Sequence, residues 1–124
     1  MMLMAKIHLL EETATATCTG SGTYVYSKRV PAGEVWRVRL ICASEIVNNF
    51  EGGYIGVYNG TTYRVIKEDF LPTDYEGAIQ LMPAITLTGD IYVKQGDMIF
   101  AYVNGETSDA TLTLEVYGEI LKEE

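Results

Sequence analysis

A chain of 124 residues with 48% apolar and 21% charged residues is one globular domain, large enough to bury about two thirds of its unfolded surface without a metal or disulfide framework. Seventeen acids against nine bases give a net charge of −8 and argue against a nucleic-acid backbone as ligand, because that needs clustered Lys and Arg and only Lys28-Arg29 are adjacent. Lys6 and His8 follow Met1-Met2-Leu3-Met4 closely, so no apolar run reaches the length of a membrane span or signal-peptide core.

Lys6 to Leu10 reads as a short arm or a leading strand, so the chain divides into an arm or leading strand over 1–12 and a β-domain over 13–124. Thr13 to Thr19 alternates threonine with small residues at the strand period of two, and Gly20-Ser21-Gly22 turns the chain into the β-prone Thr23 to Ser27. Glycine followed by a carboxylate then recurs before apolar runs, as Gly33-Glu34 before Val35-Trp36-Arg37-Val38 and Gly96-Asp97 before Met98 to Val103. Glycine reverses the chain and the carboxylate keeps the turn wet.

The run Glu34 to Glu45 is expected to bury Trp36, Val38, Leu40 and Cys42 on one face. Tyr54 to Tyr58 and Thr61 to Lys67 flank Asn59-Gly60, which predicts a hairpin with a two-residue primed turn. Glu68 to Gly77, with Phe70-Leu71-Pro72, is expected to cross between sheets, and Thr88-Gly89-Asp90 is expected to turn. In the last run Leu112, Leu114, Val116 and Ile120 point one way, with Gly118 in phase, while Thr111, Thr113, Glu115, Tyr117 and Glu119 point the other. No segment carries an apolar stripe at helical spacing. The fold class is therefore all-β, a single antiparallel β-sandwich of jelly-roll type, with the last strand inside a sheet.

The side chains suited to catalysis are few. His8 is the only histidine, the two cysteines lack a CxxC spacing, and no Gly-rich phosphate loop leads into a helix. No catalytic residue, metal ligand or cofactor is expected. Glu51, Asp69, Asp74 and Glu76 could surround calcium, but their spacing is irregular and solvation of turns explains them better. Cys18 and Cys42 are read as two free thiols, with a bridge between neighbouring strands as the alternative. Nine tyrosines against three phenylalanines suit half-buried strand positions, with Tyr54, Tyr58 and Tyr63 around the hairpin as a possible sugar-stacking set.

The succession VPAGEVWRVRLICAS, YIGVYNGTTYRVIKE, a long crossing, LTGDIYVKQGDMIFAYVNG and TLTLEVYGEIL, over residues 23–121, resembles small β-sandwich accessory proteins of tailed-phage virions. Cupin-like barrels share the Pro-Ala-Gly turn, but the metal-binding histidines that cupin enzymes place after it are absent here. The resemblance implies a head-decoration (cement) or tail-associated protein that acts by adhesion and not by reaction. Such proteins form homo-oligomers, often trimers, and bind viral coat or tail proteins within the virion. On that reading Leu3, Ile7, Leu9, Leu10, Phe50, Phe70 and Leu71 are the candidate oligomer or shell contacts. A carbohydrate-binding or adhesion module using the surface tyrosines is the competing expectation.

Overall fold

β-branched and aromatic residues at a period of two build strands wherever a glycine or an Asn/Asp turn does not interrupt them. The computed structural model describes residues 5–45, 50–70 and 84–123, and among these there is no helix. The strands are β1 (Ala5–Thr17), β2 (Thr23–Tyr26), β3 (Glu34–Ser44), β4 (Gly52–Tyr58), β5 (Tyr63–Phe70), β6 (Ala84–Lys94), β7 (Met98–Asn104) and β8 (Thr111–Glu123). They form two antiparallel four-stranded sheets, ordered β1-β8-β3-β6 and β2-β7-β4-β5. The pairing is nested: β1 lies on β8, β2 on β7, β3 on β6 and β4 on β5.

One apolar core joins the two layers. The first sheet contributes Leu10, Trp36, Val38, Ile41, Leu112, Leu114 and Val116, and the second contributes Val25, Ile55, Val57, Ile99, Ala101 and Val103. β8 lies inside its sheet and its alternation is as the sequence predicts. Leu112, Leu114 and Val116 are fully buried, and the indole N–H of buried Trp36 donates to Glu34 Oε1 at 3.1 Å.

The two Gly-carboxylate turns lie side by side at one end of the molecule. Gly33 and Gly96 take φ of +81° and +88°, which side-chained residues rarely adopt. The Gly96 N–H donates to Val30 C=O and the Val30 N–H to Asp97 C=O, each at 2.8 Å, while the Gly33 N–H reaches Gln95 Oε1 at 3.1 Å.

Three expectations change. In β3 the register against both neighbours shifts between Val38 and Leu40, so Arg39 is an extra residue relative to β8. A bulge exchanges the faces of everything after it. Ile41 and Ala43 therefore enter the core, and Leu40 and Cys42 lie on the outer face, only partly covered. Gly89-Asp90 does not end a strand. It supplies the matching irregularity within a continuous β6, with Gly89 at φ +152°. At the hairpin tip only Gly60 takes a positive φ (+100°), because the Asn59 side chain caps the loop instead. Its Oδ1 accepts the N–H groups of Thr61 at 2.9 Å and Thr62 at 2.8 Å, so Tyr58 and Tyr63 become the closing pair. Residues 5–12 continue into the threonine run as one strand.

Candidate functional site: the outward faces of the two sheets

On the second sheet the period of two sends Val25, Ile55, Val57, Ile99, Ala101 and Val103 inward. The same period sends Tyr24, Tyr26, Tyr54, Tyr58, Phe100 and Tyr102 outward, and Tyr63 joins them across the hairpin. Cross-strand register aligns Tyr24, Tyr102 and Tyr54 in one row and pairs Tyr58 with Tyr63 in another. The rings meet: Tyr58 and Tyr63 stack at 4.2 Å between centroids and 20° between planes, and Tyr54 and Tyr102 at 5.7 Å and 19°. Phe100 lies beneath, 1% exposed, with Tyr63 edge-on to it at 4.9 Å. Gly56 makes that seat possible, since a Cβ there would lie 2.9 Å from the Phe100 ring and 2.0 Å from the Arg64 carbonyl oxygen.

The hydroxyls are also engaged. Tyr26 and Tyr63 share a hydrogen bond, and Tyr58 donates to Gly60 C=O at 2.8 Å. Burial, then the hydrogen bond to Tyr63, pushes the Tyr26 hydroxyl well above the usual tyrosine range, and burial raises Tyr102 as well. Opposite Tyr54, register places Glu68 at the margin of this face. Tyr54, Tyr58 and Tyr63 do share it, but they do not make a coplanar row with free ring faces. Two stack on each other and the third stacks on Tyr102.

The outward face of the first sheet is built from charge. Arg37 bonds Asp90 at 3.2 Å, and Arg39 reaches Asp90 at 3.4 Å and Glu119 at 3.2 Å. The hydrogen bond from Arg37 holds the Asp90 carboxyl below its ordinary range. Apolar side chains gather at one end, where register places Ile7 beside Leu121 and Leu121 beside Val35. An open groove of about 420 Å³, lined by Gly33, Val35, Lys94, Gln95 and Leu121 among others, lies at the same end. Ile7 and Leu9 are 69% and 72% exposed, the highest values among the large apolar residues described, and they stand on the edge strand β1.

Leu10 and Phe50 are 0% exposed, because Leu10 alternates inward from Ile7 and Leu9 and Phe50 is enclosed ahead of β4, so neither offers a surface. Phe70 ends β5, and Leu3 and Leu71 lie outside the described residues, as do Asp74 and Glu76. Among the described residues no group of three or more His, Cys, Asp or Glu could hold a metal ion. Both cysteines are free. Burial, with the negative Glu106 and Glu45 nearby, pushes the Cys18 thiol up and keeps it protonated, which makes it a poor nucleophile. Glu106, itself buried, accepts from the Gly22 N–H at 3.0 Å and from the Thr23 hydroxyl, so it serves to fix the turn before β2.

Sequence reasoning missed Tyr24, Tyr26, Phe100 and Tyr102. The signal was present as Tyr-x-Tyr in β2 and Phe-x-Tyr in β7, each a period-two pair that puts both rings on one face.

No protein-family model and no curated protein matches the sequence. Among solved structures, the chain is similar to one from the cyanophage Pam1 capsid asymmetric unit, with a TM-score of 0.43 and 11% identity over 95% of this chain and 85% of that one. A likeness this distant fixes neither fold nor role. Among the described residues no helix is long and apolar enough to cross a membrane.

Proposed function

We propose that this chain is a non-enzymatic structural or accessory protein of a tailed-phage virion, a decoration (cement) protein that binds the shell as a homo-oligomer. Its fold is a β-sandwich of jelly-roll type. The nested pairing of β1 with β8, β2 with β7, β3 with β6 and β4 with β5 supports that topology, since two interlocked Greek keys generate this order. The resemblance of the turn-and-strand pattern over 23–121 supports the virion context. The observation that carries the adhesive role is the placement of Ile7 and Leu9, more than two thirds exposed, on a strand that is at a sheet edge among the described residues. Apolar side chains so placed gain by being covered, and a free edge gives a partner backbone groups to pair with.

The test is mass spectrometry of purified particles of the phage that encodes the chain. A decoration protein is present in many copies per particle and is stripped by mild denaturant while heads stay intact. Detection only in the infected-cell lysate, never in particles, would overturn the reading.

The second reading, a carbohydrate-binding or adhesion module, is favoured by one observation, the aromatic face with Tyr24 44% and Tyr63 39% exposed. Oligosaccharide titration followed by intrinsic fluorescence tests it. Saturable quenching that is lost in Tyr63→Ala would support it, and a flat titration would remove it.

A further inference from the structure

We infer that β1 is the seam of a two-fold dimer, in which two copies of this chain pair antiparallel through β1 with His8 at the symmetry axis. This rests on the homo-oligomer of the proposed function, specifies its contact and replaces three-fold by two-fold symmetry.

The four strands at sheet edges differ in how they are protected. β2 is four residues long, β5 is irregular opposite Ile55-Gly56, and β6 is irregular at Gly89-Asp90. Short length, bulges and charges are the usual devices against edge-to-edge pairing. β1 is neither short nor bulged, and of its acids Glu12 is already paired with Lys28. Its register on β8 runs unbroken from Ala5 opposite Glu123 to Thr17 opposite Thr111, without a proline. Such an edge is self-complementary, because an antiparallel copy related by a two-fold axis presents the same donors and acceptors in reverse order.

Side chains choose the register. Residues directly opposite in an antiparallel pair share a face, so the axis must pass through a residue. With His8 on the axis, Ile7 of each copy lies opposite Leu9 of the other, and the most exposed apolar side chains of both protomers cover one another. With Leu9 on the axis, Ile7 would instead face Glu11, leaving an apolar side chain against a carboxylate. The one gain would be Lys6 opposite Glu12, and Glu12 already holds Lys28 at 2.9 Å. The His8-centred seam also places no acid opposite an acid, and it joins the two first sheets into one of eight strands.

The experiment uses the full chain as His8→Cys and Leu9→Cys variants, under mild oxidation, with the unaltered protein as control for Cys18 and Cys42. Light scattering on each sample reports mass independently. The seam predicts a dimer mass for the unaltered protein. It also predicts covalent dimers from His8→Cys, whose cysteines meet on the axis, and few from Leu9→Cys, whose cysteines do not. A dimer mass without a cross-link at residue 8, or a cross-link at residue 9 in its place, overturns the seam while leaving the homo-oligomer standing. A monomer mass at high micromolar concentration overturns both.

Discussion

The two outward faces spend apolar surface in opposite ways. The second sheet carries seven aromatic rings, yet stacking, edge contacts and hydroxyl bonds turn most of that surface upon itself, and Phe100 beneath is 1% exposed. The first sheet carries ion pairs and fewer aromatic rings outward, of which Tyr92 is 58% exposed, but Ile7 and Leu9 stand most uncovered, on a strand edge. The amount of apolar surface is thus a poor guide to adhesion. What matters is whether neighbours in the same chain already cover it.

The largest effect is expected where both sheets depend on one side chain. Trp36→Ala should cost about 3–5 kcal/mol in urea unfolding, because the cavity opens in the shared core. A change below 1 kcal/mol, on the scale of an ordinary surface substitution, would show that the two layers do not share that core. Next, Gly56→Ala should cost about 1–3 kcal/mol by driving a methyl group against the Arg64 carbonyl and the Phe100 ring. Near-ultraviolet circular dichroism should change with it, since the rings lose their seat. An unchanged spectrum would mean that the aromatic face is not a packed unit.

The tyrosine hydroxyls sharpen the same contrast through pH. Tyr26 and Tyr102 are raised in the folded state, so the unfolded chain releases these protons first. Their contribution is fully present below the ordinary tyrosine range near pH 10 and is lost as pH climbs toward the folded values. Ultraviolet titration should show late-ionising tyrosines in the folded protein, and stability should fall above about pH 10. Tyr26→Phe should remove part of the late-ionising fraction. The smallest effect on the protomer is expected from Ile7→Lys, within about 0.5 kcal/mol, because the side chain touches solvent and not the core. Only assembly should suffer.

How much of this was legible in the sequence depended on local regularity. β8 kept its alternation from Thr111 through Val116 because the ladders on both sides hold it without interruption there, and Leu112, Leu114 and Val116 read correctly as core. β3 read correctly only to Val38. The extra residue Arg39 leaves no mark in composition, so Leu40 and Cys42 fell on the wrong face. Gly89-Asp90 misled in the other direction, because glycine and aspartate serve a bulge as readily as a turn. For the surfaces, the tyrosine count was visible but its convergence was not. Tyr24 and Tyr102 meet at 4.7 Å only because β2 lies on β7, a pairing across most of the chain. Ile7, Leu9 and Leu10 look alike in the sequence, and only alternation along β1 separates the first two from the buried third.

The central claim is that the free edge of β1, and not the aromatic face, mediates self-association. Sedimentation equilibrium of the unaltered chain, Ile7→Lys and Tyr24→Ser at matched high micromolar concentration tests it most directly. The account predicts dimer, monomer and dimer in that order. A dimer that survives Ile7→Lys and dissociates in Tyr24→Ser would contradict it and move the interface to the tyrosines.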